Sequence, residues 1–240
     1  ASSLPVMLKP NAGLPKCVDG KTVYDVTPDE FAAEVAQLVR EGVRVAGGCC
    51  GTTPEYIRAL VSACEGITLE KTEEKSETVI SSYTHALKFG DAPVLIGERI
   101  NPTGKKLLKE ALRSGDMDYV LRQGVMQEDR GVHALDVNVG LPDIDEVATL
   151  TKVVRELQAI IDLPLQIDTA NPDAMEKALR IYNGKPLINS VNGKKESMDR
   201  IFPIAKKYGG VIIALTLDES GIPETAEGRV AIAERIIKEA

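Results

Sequence analysis

An excess of positive charge is the first thing this sequence lacks, with 29 Lys and Arg against 36 Asp and Glu and a net charge of −7. The basic residues are scattered, so no electrostatic footprint for a phosphate backbone exists and nucleic acid is excluded as a partner. No apolar run approaches the length of a membrane span, and no charged segment followed by an apolar one stands at the start. These absences exclude a membrane and lead to the expectation of a soluble, cytoplasmic protein. Cysteine is too scarce for a disulfide framework, with four residues of which Cys49 and Cys50 are adjacent. Cys17 and Cys64 read as incidental, and a reducing compartment fits the set. No phosphate loop and no dinucleotide glycine fingerprint follows the first strand. His85 and His133 are the only histidines, and neither has a nearby sequence partner that would make it catalytic.

What is present is Gly47-Gly48-Cys49-Cys50-Gly51-Thr52-Thr53-Pro54, a glycine-rich loop after a short apolar strand at Val43 to Ala46. Glycines on both sides let consecutive side chains, which normally diverge, converge on one ion. Two thiolates in that arrangement suit zinc, although a catalytic zinc site uses three protein ligands, so a further ligand has to come from elsewhere. The alternative is a pair of small apolar residues packed behind a helix.

The rest of the chain alternates strand and helix. Pro5 to Leu8 reads as a short buried strand, Thr27-Pro28-Asp29-Glu30 as a capping box opening a helix that Gly42 ends, and Pro54 to about Cys64 as a second helix. Residues 68–92 turn polar and charged and read as an interdomain linker. Strands then follow at Val94 to Gly97, Ala134 to Asn138, Leu163 to Asp168, Pro186 to Ser190 and Val211 to Leu217. Helices intervene at Ile144 to Ile161 and, capped by Asn171, at Pro172 to Ile181. Apolar strands joined by helices imply a parallel sheet, either a (β/α)8 barrel or an open doubly wound sheet. The polar motifs all lie at strand carboxyl ends.

Two units before the linker and five after it close no barrel of eight. The chain opens on Ala1 without an initiator methionine and stops at Ala240 inside a helical pattern. The expectation is α/β architecture with parts of two (β/α)8 TIM-type barrels, truncated at both ends: 1–67, a linker at 68–92, and 93–240.

Several tracts carry a resemblance. Pro10-Asn11-Ala12-Gly13-Leu14-Pro15 precedes the cysteine pair, and Ile96-Gly97-Glu98-Arg99-Ile100-Asn101-Pro102-Thr103-Gly104 opens the second series. Asp136-Val137-Asn138-Val139-Gly140, Gln166-Ile167-Asp168-Thr169 and Leu187-Ile188-Asn189-Ser190-Val191-Asn192-Gly193 follow. In this order they resemble the cobalamin-dependent methionine synthase family, from the end of its homocysteine barrel to the start of its pterin (folate) barrel.

The resemblance implies a methyltransferase moving a methyl group from 5-methyltetrahydrofolate through cobalamin to zinc-activated homocysteine. Cys49 and Cys50 match two of the family's three zinc cysteines, the third falling before Ala1, and Asn11 matches a position able to fill the fourth zinc site. Asp168 and Asn189 match pterin-ring contacts; Asp136 and Asn138, alternate residues of one strand end, point to the same side and line the pocket. Glu98, Arg99 and Asn101 either contact the ligand or form a Glu98–Arg99 pair that orders the loop. Catalytic groups for proton delivery to the folate, and the cobalamin-binding domain or protein, lie outside this chain on the same resemblance. Two other readings remain open: a corrinoid-dependent methyltetrahydrofolate methyltransferase of another pathway, and a non-catalytic pterin-binding fragment.

Overall fold

The structure, a computed structural model, describes residues 5–69, 77–90 and 92–240. Two compact units divide the chain, Ala1–Ser76 and Glu77–Ala240.

In the first unit, β1 (Val6–Leu8) pairs in parallel with β4 (Val43–Ala46). A small antiparallel hairpin, β2 (Lys16–Val18) with β3 (Lys21–Val23), and helix α1 (Pro28–Arg40) lie between them. Helix α2 (Pro54–Cys64) follows β4, which gives two successive βα units as expected. The capping box forms: the Thr27 amide donates to Glu30 Oε2 at 2.9 Å and the Glu30 amide to Thr27 Oγ1 at 3.4 Å. Apolar residues at helical spacing turn Phe31, Ala32 and Val35 onto Leu60 of α2, and the Phe31 and Tyr56 rings meet edge to face at 5.6 Å. One expectation fails here. β1 is not buried, since Val6 is 39% and Met7 65% exposed.

The second unit is built on a five-stranded parallel sheet of β7 (Ile96–Ile100), β8 (Ala134–Val137), β9 (Leu165–Asp168), β10 (Leu187–Asn192) and β11 (Val211–Leu215). Between consecutive strands run α3 (Lys106–Ser114) and α4 (Met117–Glu128), α5 (Glu146–Gln158), α6 (Pro172–Ile181) and α7 (Lys195–Tyr208), and α8 (Ala226–Glu239) follows β11. Spatial order equals chain order across all five strands. A doubly wound sheet must reverse direction at a switch point, whereas a barrel never does, so the fold is α/β of the TIM-barrel type.

Side-chain alternation then assigns the two faces of this sheet. Leu135, Val137, Leu165, Ile167 and Ile188 pack outward among the helices, with Leu150, Val154 and Leu157 of α5 at the centre of that core. The residues between them, Ala134 and Asp136, Gln166 and Asp168, and Leu187 and Asn189, take the opposite face. At the strands' amino ends that face is apolar.

A hairpin of β5 (Val79–Ser81) and β6 (Ala86–Lys88) packs there. Its Ile80 is fully buried with Ala134 and Leu187, and the Ser81 amide donates to Lys185 O at 2.9 Å while Tyr182 Oη donates to Ser81 O at 2.8 Å. Part of the stretch read as linker is therefore a docked hairpin of the second unit. Residues 70–76, the most charged part of that stretch, lie outside the described residues.

Candidate functional site

Two clusters of the anticipated residues form, one in each unit. In the first, the loops after β1 and β4 extend the parallel pairing beyond the strands. Gly47 N donates to Leu8 O at 3.0 Å, Cys49 N to Pro10 O at 3.0 Å, and Ala12 N to Cys50 O at 2.9 Å. The side chain of Asn11 joins this ladder, its Oδ1 accepting the Cys50 amide at 3.0 Å.

Glycine is required on both sides of the cysteines. At Gly51, φ is +81° and a Cβ would stand 2.4 Å from the Tyr24 ring; at Gly48 a Cβ would stand 2.4 Å from Thr52 Oγ1. The resulting turn holds Cys49 Sγ and Cys50 Sγ 3.9 Å apart, both exposed. Two sulfurs on one tetrahedral zinc, each about 2.3 Å from the ion, lie about 3.8 Å apart, so the spacing and the soft donors fit one such ion. The buried-pair alternative does not fit exposed thiols. Among the described residues no group of three or more His, Cys, Asp and Glu completes a metal site. The pair with Asn11 is thus a partial set.

In the second unit, the carboxyl ends of β7, β8 and β9 bring four anticipated residues into one hydrogen-bonded cluster. Asn138 Nδ2 donates to Asp168 Oδ2 at 3.0 Å, and Asn101 Nδ2 reaches the same oxygen at 3.3 Å and Asp136 Oδ2 at 3.5 Å. Each carboxamide is itself fixed: Asn101 Oδ1 accepts from Thr103 N at 3.1 Å and Asn138 Oδ1 from Gly140 N at 2.8 Å. Asp168 Oδ2 is consequently saturated, while Oδ1 has no partner among the described residues. One carboxylate oxygen is held and the other is offered. Asn189 belongs to the neighbouring strand and lines the same cavity as Asp168, with its backbone oxygen accepting from Thr169 N at 3.1 Å.

Glu98 stands differently. It is exposed and pairs with Lys105 at 3.1 Å, so the anticipated pair with Arg99 does not form; the Arg99 amide instead donates to Gln127 Oε1 at 2.8 Å. His133 is structural, its Nδ1 accepting the Leu95 amide at 2.8 Å.

Gln166 escaped sequence reasoning. It is 5% exposed, its Nε2 donates to Asp136 Oδ1, and its Oε1 is buried without a partner. The signal was present, since Gln166 stands two residues before Asp168 on one strand and therefore shares its face. Glu146, which accepts from Thr169 Oγ1 beside the cluster, was likewise missed.

Burial raises the Asp136 carboxyl to about 6 from an ordinary 3.8, against the lowering effect of the Gln166 hydrogen bond and with the added push of Asp168. Burial also raises Asp168, opposed by Asn138 and helped by Glu98 and Glu146. A carboxyl whose folded pKa is raised gives stability that is complete below its unfolded pKa and lost as pH climbs through the folded one. From about pH 5 to about pH 8, Asp136 should therefore cost the unit about 1.4 kcal/mol. Asp136→Asn should be spared that loss. Facing the Asn101 amide with a new donor adds a pH-independent offset, and removing the charge beside Asp168 relieves that carboxyl as well, so urea titrations of both proteins at the two pH values should show the smaller pH dependence in the variant. Equal pH dependence in the two would contradict the assignment.

Comparison with known proteins matches residues 1–64 to the homocysteine S-methyltransferase family and residues 97–239 to the pterin binding enzyme family. Methionine synthases of Mycobacterium tuberculosis and Mycobacterium leprae are 34% and 33% identical to 98% of this chain, which covers 20% and 21% of their lengths. The chain thus spans about a fifth of these curated relatives. The crystal structure of 7,8-dihydropteroate synthase from Vibrio fischeri ES114 is similar at a TM-score of 0.47 and 17% identity, over 68% of this chain and 61% of that one. Among the described residues no helix is long and apolar enough to cross a membrane. Through the match that covers most of its length the chain belongs to the pterin binding enzyme family, joined to a homocysteine S-methyltransferase segment in the order of a methionine synthase.

Proposed function

We propose that this chain is the segment of a cobalamin-dependent methionine synthase that bears part of the homocysteine site and part of the folate site. What carries the reading is the presence, on one chain, of a thiol pair at zinc spacing within the S-methyltransferase match and a carboxylate–carboxamide cluster within the pterin match. The corrinoid methyltransferase alternative leaves the first of these without a use.

A zinc ion held by Cys49 and Cys50, with Asn11 beside them, would supply the positive charge that keeps a substrate thiol deprotonated at neutral pH. The protein's own contribution is positional: Asn11 is tied to the Cys50 amide, so the carboxamide and both sulfurs stay together. In the second unit, Asp168 Oδ1 accepts from the 2-amino group and the ring N–H of the pterin. Asn101 and Asn138 keep the carboxylate turned toward the ring, and Asn189 meets the neighbouring ring atoms with a group that both donates and accepts. Glu98 and Asp136 complete the polar wall. Cobalamin, the methyl carrier, is bound by a domain outside these residues, in a cytoplasmic enzyme.

In the full-length protein, calorimetric titration should find methyltetrahydrofolate binding that survives metal chelation, and homocysteine binding that chelation abolishes and zinc restores. Homocysteine binding indifferent to the chelator would overturn the reading of the thiol pair.

A further inference from the structure

Strand β7 falls out of step with β8 beside the carboxylate cluster. Gly97 stands opposite Leu135 and Ile100 opposite Val137, so Glu98 and Arg99 together occupy the place of one residue, Asp136, on the neighbouring strand. That is a β-bulge, and a bulge re-aims the side chains around it. Strict alternation from Gly97, whose position faces Gln127 of α4, would turn Ile100 inward and Asn101 outward. With one residue inserted the order inverts. Ile100 joins the outer core with Val137, and Asn101 points inward, where its Nδ2 reaches Asp136 at 3.5 Å and Asp168 at 3.3 Å. The bulge is what admits Asn101 to the cluster.

A bulge takes one residue of the longer strand out of the ladder, and its backbone groups need a partner from elsewhere. Gln127, buried near the end of α4, accepts the Arg99 N–H on Oε1 at 2.8 Å and ties its own Nε2 to Gln123 O at 2.9 Å. Both ends of the carboxamide are fixed. Gly97 makes room for it, since a Cβ there would stand 2.6 Å from Gln127 Oε1 and would push that oxygen off the Arg99 amide. A side chain of the outer helical layer thus reaches the one point of β7 that decides which way Asn101 faces.

We infer that Gln127 is a positioning residue of the folate site: it holds the β7 bulge, and the bulge turns Asn101 onto the carboxylates of Asp136 and Asp168. This deepens the pterin reading of Asp168 and rests on it.

A double-mutant cycle in the full-length protein, read by calorimetric titration with 5-methyltetrahydrofolate, tests the inference. Gln127→Met keeps the bulk of the side chain and loses its acceptor. It should weaken folate binding about fivefold, somewhat less than the roughly tenfold expected of Asn101→Ala. In the Asn101→Ala background the same substitution should change affinity by no more than about twofold, because the group it positions is gone. Gln127→Glu, which keeps an acceptor facing the Arg99 amide, should bring affinity back to within about twofold of wild type. Gly97→Ala crowds Gln127 from the strand side, so it should repeat the pattern of Gln127→Met and serves in its place if that protein does not fold. Equal losses in the two backgrounds, which general loosening of the unit would give, would overturn the positioning role while leaving the pterin reading intact. So would undiminished folate binding in Gln127→Met, or a glutamate that restores no more than methionine. Failure of both Asn101→Ala and Asp168→Ala to weaken folate binding would remove the pterin reading, and this inference with it.

Discussion

Alanine at Cys50 should strip the full-length protein of zinc and of zinc-dependent homocysteine binding. A catalytic zinc has three protein ligands, so losing one thiolate removes a third of its protein coordination and a soft anionic donor that carboxamide or water replaces poorly. Changing groups that only support metal ligands already costs 10–100-fold in affinity, so removal of a ligand should cost at least about a hundredfold. The fold should tolerate the change. Cys50 is exposed, and the bonds that shape its loop, Ala12 N to Cys50 O and Cys50 N to Asn11 Oδ1, use its backbone. Cys49→Ala should behave alike, and its carbonyl bond to Thr52 Oγ1 at 2.6 Å also survives. Metal analysis finding full zinc in both single variants would refute the thiolate assignment.

Asp168→Ala should weaken methyltetrahydrofolate binding by one to two decades. The substitution deletes the acceptor for the ring donors and also strands the Asn101 and Asn138 amides that converge on Oδ2. A buried group left unpaired costs roughly 1–3 kcal/mol, more if charged, which is about that range of affinity. Asn189→Ala should act in the same direction. His133→Ala should change folate affinity little, because its ring is engaged with the Leu95 amide. Since burial raises the Asp168 pKa, wild-type affinity should begin to fall on acidification before an ordinary carboxylate would titrate. Wild-type affinity in both pocket variants, measured by calorimetry, would contradict the pterin site.

Local signals were sufficient wherever one segment decides its own state. Asn171-Pro172 marks a helix start by cap chemistry and fixed proline φ, Thr53-Pro54 by the proline alone since Thr53 makes no side-chain cap, and the helices run Pro172–Ile181 and Pro54–Cys64 as read. The five strands of the second unit were legible from apolar runs ending in polar residues. Strand pattern by itself left a barrel and an open sheet both possible, because pairing order is a tertiary property; the barrel was expected on the resemblance, and the structure bears it out through sequential neighbours.

The two hairpins were invisible for a different reason. Lys16–Val18 and Lys21–Val23 are exposed throughout, so no pattern of burial marks them, and Val79–Ser81 presents only Ile80 as a fully buried residue in a charged neighbourhood. In the site, Asp136, Asn138 and Asp168 were readable because strand parity puts them on one face at one end. Asn101 was anticipated as a site residue, but its bond across 67 residues to Asp168 was not, and Glu146, which accepts from Thr169 23 residues on, was missed altogether. Only the fold brings such groups together. Of the two readings of the β7 loop, the Glu98–Arg99 pair fails for the same reason, since Glu98 reaches Lys105 seven residues on.

The central claim is that one protein carries two separable chemistries, thiol activation in one unit and pterin binding in the other. Single-turnover assays of the two half-reactions in the full-length protein test it most directly. Cys50→Ala should stop methyl transfer from methylcobalamin to homocysteine and leave transfer from methyltetrahydrofolate to cob(I)alamin near the wild-type rate, while Asp168→Ala should do the reverse. Similar impairment of both half-reactions by each variant would contradict the account and require a single composite site in its place.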